Sequence, residues 1–173
     1  MMPNGWVRYL YDTAFDPETN PLNVPIVQCS LFGTEDPTKH YQLGRAVSRL
    51  REKDIVIIVS GMAVHNLRDM FFTFGSTTPL PYTASFDEAL KNAVTAAPEE
   101  RLEKMVQLTK RPDARQAHPS FDHLLPIYIG AGAAGSDQGK KLFTFLDPSM
   151  SWAQYRFGDV GTSSSELWMY NMR

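Results

Sequence analysis

The run of residues 54–60, DIVIIVS, constrains the fold of this chain more than any other stretch. An uninterrupted series of β-branched residues, bounded by charge on one side and by Gly61 on the other, is typical of a strand buried on both faces of a sheet. A second stretch rich in β-branched residues, 24–31, also reads as a strand. Between the two strands lies a helix start signal, with Asp36 as N-cap and Pro37 at the first helical position. A strand, a helix and a second strand form a βαβ unit, so the sequence predicts an α/β fold.

Helical patterns occupy much of the rest of the chain. The first helix is predicted over about residues 37–53, and a turn-helix follows Gly61. Ser85 and Glu88 have the spacing of a capping box, which predicts a helix to about residue 97, and Pro98 opens the next helix. Further strands are predicted at 142–146 and 155–157.

A late helix is expected to begin at Ser120 as its cap. Pro126 lies past the first turn, which predicts a kink or a late start. The sequence GAGAAG at 130–135 lets that helix pack closely against another element and then ends it. The tail after Gly158 is expected to be irregular.

Composition excludes several classes of protein. The chain has 173 residues, a length that fits one domain. The net charge of −2 argues against nucleic acid as a partner, because phosphate binding needs a clustered basic face. No apolar stretch is long enough to span a membrane, and no secretory signal is evident, so a cytoplasmic protein is expected. The single cysteine, Cys29, cannot form an intrachain disulfide and is predicted to be a buried core thiol.

Four histidines are the candidates for chemistry, and none of them forms an HxxxH or HExxH metal motif. His65 follows the end of a predicted buried strand, where ligands bind in open α/β sheets, and can act there as an acid or base. The alternative is a histidine that packs against the following helix. His40, beside Lys39, is predicted to lie on a helix surface.

His123 is predicted in the first turn of the helix capped by Ser120. The positive helix end disfavours imidazolium, and a neutral imidazole can bind a metal; the alternative is a solvated residue. His118 precedes Pro119, which favours extended backbone, so His118 can orient a ligand or simply lie in a loop.

The order of several segments resembles the class III extradiol ring-cleavage dioxygenases, in the branch typified by 4,5-DOPA dioxygenase. The resemblance covers about residues 5–158 and corresponds to the C-terminal part of the family's longer chains. Its most specific segments are SGMAVHNL and AHPSFDHLLP; the others are VPIVQCSL, HYQLGRAVSRLR, FDEAL and SMSWAQYRFG.

The resemblance implies a function and a set of site residues. Family members open a catechol ring beside its hydroxyls, using O2 and one non-haem Fe(II) or Zn(II). His65 matches the acid/base histidine, and His123 matches a metal ligand. His118 and Asn66 match positions behind the ligands or against the substrate. The implied fold is a three-layer α/β/α domain with a mixed, partly parallel central sheet, here over residues 1–158 with a tail at 159–173.

The departure from the family pattern leaves alternatives open. Nothing here corresponds to the family's N-terminal half, which carries two further metal-binding histidines, and Asn4 stands where a second active-site histidine is expected. The expected function is therefore catechol cleavage impaired by truncation. The alternatives are a non-catalytic remnant or incomplete gene model that acts through protein contacts, and a zinc-dependent hydrolase. Without that half the domain is expected to expose strand edges and apolar surface, which a homo-oligomer or another partner would cover.

Overall fold

The structure is a computed structural model that describes residues 7–9 and 27–159. The chain divides into two compact units, Met1–Glu35 and Asp36–Arg173. In the first unit β1 (Val7–Tyr9) pairs antiparallel with β2 (Val27–Cys29). β2 lies within the predicted strand at 24–31, whose first three residues are outside the described part. Cys29 is exposed, so the prediction of a buried thiol is wrong.

The second unit is mainly helical, with short strands between and after the helices. Its helices are α1 (Pro37–Val47), a 3₁₀ turn (Ser48–Lys53), α2 (Leu67–Phe72), α3 (Pro81–Val94), α4 (Pro98–Leu108), α5 (Ala114–Ala117) and α6 (Leu125–Ala133). Its strands are β3 (Val64–His65), β4 (Gly139–Phe143), β5 (Leu146–Asp147), β6 (Met150–Ser151) and β7 (Gln154–Phe157). This mixture of helices and strands agrees with the predicted α/β class.

The strands of the second unit form two small sheets. One has the order β3-β6-β5 and the other pairs β4 with β7. Every ladder between described strands is antiparallel, so the expected partly parallel central sheet is not found among them. None of the described helices is long and apolar enough to cross a membrane. The predicted tail lies almost wholly outside the described residues, which end at Asp159.

The predicted strand at 54–60 is wrong for the described structure. Residues 55–60 belong to no strand, and Val56 and Ile58 are 81% and 84% exposed. A β-branched run becomes a strand only where a neighbouring strand satisfies its backbone groups. No described segment pairs with this run, so its sequence preference for a strand is not realised.

Helix starts were predicted with mixed success. Asp36 caps α1 as expected, accepting hydrogen bonds from the amides of Thr38 and Lys39 at 2.9 and 3.1 Å. The Ser85 capping box is wrong, because α3 already begins at Pro81 and the Ser85 hydroxyl donates instead to Asp113. His40 is fully buried rather than on a helix surface.

The late helix has the late start that Pro126 allows. α6 begins at Leu125, so Ser120 is not its cap, and the Ser120 hydroxyl donates to the Asp122 carboxylate. His123 consequently lies in the turn before α6 and not in its first helical turn.

The glycines of α6 allow it to pack against α1 at backbone distance. A methyl group on Gly44 of α1 would overlap the Ile129 carbonyl oxygen, and one on Gly132 would overlap the Tyr41 carbonyl oxygen. The predicted close approach is therefore confirmed, with α1 as the partner. This packing fixes α6 against α1. It thereby also positions the turn before α6, which carries His123.

We expect Gly44→Ala to lower the free energy of unfolding by about 1–3 kcal/mol, because its methyl group meets backbone that cannot rotate away. Gly33→Ala is the matched control, since its methyl group would meet nothing within 4 Å. Urea unfolding of both variants measures the difference. Equal midpoints for the two variants would contradict the close α1–α6 contact.

Candidate active site

Two histidines that are far apart in the sequence meet in the structure. The ring centroids of His65 and His123 are 3.9 Å apart, with 32° between the ring planes. Both rings are only partly buried. The structure thus brings together the two histidines that the sequence assigned to acid/base chemistry and to metal binding.

The backbone around His65 is held by β6 and the loop before it. His65 lies opposite Met150 in the β3–β6 ladder, and the amide of Asn66 donates to the Ser149 carbonyl at 3.2 Å. Helix α3 anchors this loop in turn, because the Thr83 hydroxyl donates to the Pro148 carbonyl at 2.8 Å. His65 therefore projects from a short, paired strand rather than from a free loop.

His123 reaches His65 through a direct contact between their backbones. The amide of Met62 donates to the His123 carbonyl at 2.9 Å. Gly61 makes this approach possible, since a methyl group there would overlap the same carbonyl oxygen. From the sequence, Gly61 was interpreted only as the end of an apolar run. A glycine directly before the MAVHN segment could also have indicated that another backbone segment approaches closely there.

His118 lies behind the histidine pair and not in it. It is fully buried, and its Nε2 is 2.9 Å from the Ala63 carbonyl, to which it donates. Burial is the main cause that lowers its pKa to about 4, so the ring is neutral near pH 7. The rings of Phe86 and Phe121 lie near it at 63° to its plane, with centroids 5.3 and 6.5 Å away. His118 thus supports the strand that carries His65.

The Asn66 side chain is also hydrogen-bonded within the protein. Its side-chain oxygen accepts from the amides of Arg68 and Asp69 at the start of α2. Its amide group donates to the Gln116 carbonyl at 2.7 Å and to the Asp69 carboxylate at 3.2 Å. An asparagine side chain offers two donor hydrogens and two lone pairs, and all four are used. Asn66 therefore ties the His65 segment to the stretch that precedes His118.

The electrostatics around the pair favour a neutral His65. Partial burial, followed by the neighbouring His123, lowers the pKa of His65. The Ser120 hydroxyl, 2.6 Å from Asp122, is the main cause that lowers the pKa of that carboxyl group. The Asp122 carboxylate lies 3.5 Å from Nε2 of His123. A neutral imidazole that is partly exposed can accept a proton from a bound ligand.

A partly apolar groove beside His123 has a volume of about 350 Å³, and His65 is not among the residues that line it. His123 lines it, together with Ile58–Ala63, Leu90, Ile127, Leu142 and 153–155. Its size suits a small organic ligand.

The described residues do not complete a metal site. Within the ranges 7–9 and 27–159, no group of three or more His, Cys, Asp and Glu side chains is placed to hold an ion. A mononuclear non-haem iron or catalytic zinc site needs about three protein ligands. The resident Fe(II) or Zn(II) expected from the sequence therefore does not fit the described side chains alone.

Comparison with known proteins gives a consistent result. Residues 8–157 match the family described as the catalytic LigB subunit of aromatic ring-opening dioxygenase. The chain is 32% identical over 142 residues to a 4,5-DOPA dioxygenase extradiol of Beta vulgaris, covering 78% of this chain and 50% of that protein. It is 29% identical over 111 residues to a protein of the same name from Escherichia coli K12, covering 64% of this chain and 41% of that protein.

A solved structure shares the fold. The crystal structure of an uncharacterized protein from Escherichia coli K12 superposes with a TM-score of 0.69 at 26% identity, covering 80% of this chain and 58% of that one. The chain spans about half the length of the curated relatives it matches. The match over residues 8–157 shows that this chain belongs to the LigB family of class III extradiol dioxygenases.

Proposed function

We propose that this chain takes part in extradiol cleavage of a catechol-type ring with O2, a reaction that incorporates both oxygen atoms of O2 into the product. The observation that carries the proposal is the contact between His65 and His123, of which His123 lines a groove, in a chain of the LigB family. The names of its relatives favour a DOPA-like catechol as substrate.

His65 is the proposed acid/base residue. Its ring is neutral because burial and the neighbouring His123 lower its pKa, so a ring nitrogen can take a proton from a catechol hydroxyl and return it later. Its place on the β3–β6 ladder holds its backbone in position, from which the ring projects. The groove wall formed by Ile58 and Ile127 offers apolar contact to an aromatic ring.

His123 is the proposed ligand for Fe(II) or Zn(II). The other ligands of a full site would come from outside the described residues. His118 and Asn66 are proposed as positioning residues that do not touch the substrate, since Nε2 of His118 donates to the Ala63 carbonyl and the Asn66 amide donates to the Gln116 carbonyl. We also propose that residues 1–158 form the catalytic domain, within a complete three-layer domain whose central sheet is partly parallel.

Loading the protein anaerobically with excess Fe(II), adding DOPA and admitting O2 should produce the yellow ring-opened semialdehyde. His65→Asn should slow the reaction at least ~100-fold, because acid/base assistance of this size is lost. His123→Asn should slow it similarly and also weaken Fe(II) binding, whereas His65→Asn should leave binding within about threefold. Colour formation and metal titration measure the two effects.

Glu103→Gln, on an exposed position of α4, is the control and should behave as the unaltered protein. If the unaltered protein takes up no oxygen above an Fe(II)-only blank, the proposal fails and the non-catalytic alternative is favoured. The incomplete ligand set among the described residues is the observation that supports that alternative.

The buried His118 predicts a loss of stability in acid. Its pKa is about 4 in the folded protein and about 6.5 in an unfolded chain. Between these values the unfolded state binds more protons, so the free energy of unfolding falls as pH drops from about 6.5 to 4, by up to about 3 kcal/mol. Urea unfolding at pH 7.5 and 5.0 measures the change.

His118→Gln keeps a donor for the Ala63 carbonyl but does not titrate. We expect it to be less stable at pH 7.5, with a smaller difference between the two pH values than the unaltered protein shows. An identical pH difference in both proteins would show that His118 is not the buried neutral group.

A further inference from the structure

A buried carboxylate connects α3 to the strand pair that carries His65. The side chain of Asp87, on α3, is only 5% exposed. Its Oδ1 accepts hydrogen bonds from the hydroxyls of Ser151 at 2.5 Å and Thr144 at 3.1 Å, and its Oδ2 accepts one from the Lys141 ammonium at 3.3 Å. A carboxylate is stable in the protein interior only when such donors replace the water that it has lost.

Ser151 is the member of this group that belongs to the strand pair. It is fully buried on β6, where it lies opposite Val64 of β3. Its hydroxyl has one hydrogen, which it donates to the carboxylate, and its backbone carbonyl accepts from the amide of Ala63 at 3.2 Å. His65 is the next residue of β3 after Val64. A hydrogen-bonded path therefore leads from Asp87 through Ser151 to the strand of His65.

Helix α3 holds the same segment at a second point, one helical turn earlier. Thr83 precedes Asp87 by four residues, so the two side chains lie on the same face of the helix. The Thr83 hydroxyl donates to the Pro148 carbonyl, in the loop before β6, while Asp87 holds β6 itself. Two points of attachment fix the orientation of residues 148–151 along α3, which a single contact would leave free to rotate.

The lengths of the three contacts show which link is strongest. Hydroxyl groups lie about 2.5–2.7 Å from a carboxylate in strong charge-assisted hydrogen bonds, and ammonium groups about 2.7–2.9 Å. The Ser151 contact lies within its range, whereas the Thr144 and Lys141 contacts are both longer than theirs. Asp87 therefore binds most tightly to β6, and Lys141 serves mainly to balance its charge.

We propose that Asp87 is a positioning residue for His65, which acts through the Ser151 hydroxyl and the β3–β6 ladder. It does not contact a ligand, and it fixes the backbone of His65 relative to α3. Without its bond to Ser151, β6 and β3 open together, and His65 loses its fixed contact with His123. The importance of this position for ring cleavage rests on the proposed function, whereas the position itself does not.

The decisive variant is Ser151→Ala, which removes the link to β6 and leaves Asp87 with its other two donors. Hydrogen exchange under native conditions measures the amides of Ala63 and Asn66, which donate to β6 and to the loop before it. We expect both amides to exchange at least ~10-fold faster, because a hydrogen bond to a charged group is lost. The Ala134 amide, at the end of α6, is the internal reference and should change less than about threefold.

Nuclear Overhauser effects between the ring protons of His65 and His123 measure the site itself. The ring centroids are 3.9 Å apart, so the unaltered protein should give a clear signal, which Ser151→Ala should reduce at least about twofold. If the Fe(II)-loaded protein cleaves DOPA, Ser151→Ala should lower kcat at least ~10-fold and leave KM within about threefold. A general loss of stability would not produce this split between kcat and KM.

Two further variants and one control isolate the link. Asp87→Asn keeps the shape of the side chain without its charge, and adding it to Ser151→Ala should speed exchange of the Ala63 amide by no more than about twofold, since the two residues form one link. Thr144→Val removes a donor to the same oxygen without altering β6, and should leave that exchange unchanged. Glu88→Gln, at the neighbouring carboxylate in an exposed ion pair, is the control. If Asp87→Asn does not fold, Ser151→Ala decides the question.

The proposal fails if Ser151→Ala leaves amide exchange and the ring contact as they are in the unaltered protein. It also fails if the effects of Asp87→Asn and Ser151→Ala on the Ala63 amide are additive, or if Thr144→Val acts like Ser151→Ala. Either result would mean that the carboxylate stabilises the whole unit and not the strand of His65. Exchange and ring contact need neither metal nor substrate, so an inactive protein that gives the expected changes would contradict the proposed function alone.

Discussion

The candidate site depends on one backbone contact, the hydrogen bond from the Met62 amide to the His123 carbonyl. It joins two segments that lie some sixty residues apart, and it requires the absence of a side chain at Gly61. This bond brings the segments of His65 and His123 together, and their ring centroids lie 3.9 Å apart. Behind the pair, Nε2 of His118 and the Asn66 side-chain amide are hydrogen-bonded to backbone carbonyls, which supports the strand of His65. The partly exposed His65 remains the group with freedom to exchange protons with a ligand.

The same unit is held together on its helical side by the glycine contacts of α1 and α6. Among the described residues, the apolar run at 55–60 forms no strand, and no group of three metal-ligating side chains is placed to hold an ion. A strand needs a neighbouring strand and a metal site needs about three ligands, so both depend on more segments than a contact between two helices does.

Local signals were enough to predict several elements. Asp36 and Pro37 predicted the start of α1, Pro98 predicted α4, and the GAGAAG glycines predicted a close helix contact. These predictions succeed because a cap, a fixed φ or a missing Cβ acts within a few residues. The family resemblance, carried by the SGMAVHNL and AHPSFDHLLP segments, is confirmed by the match over residues 8–157.

Other properties depended on distant partners. The run at 54–60 has every local preference for a strand and forms none in the described structure, since strand formation needs a neighbour. The burial of His40 and the exposure of Cys29 likewise follow from packing that no short pattern encodes. The sequence by itself determined which histidines are candidates and where helices can begin. Only the tertiary structure decided that His65 and His123 meet while His118 stays behind them, because that choice rests on backbone contacts between segments remote in the chain.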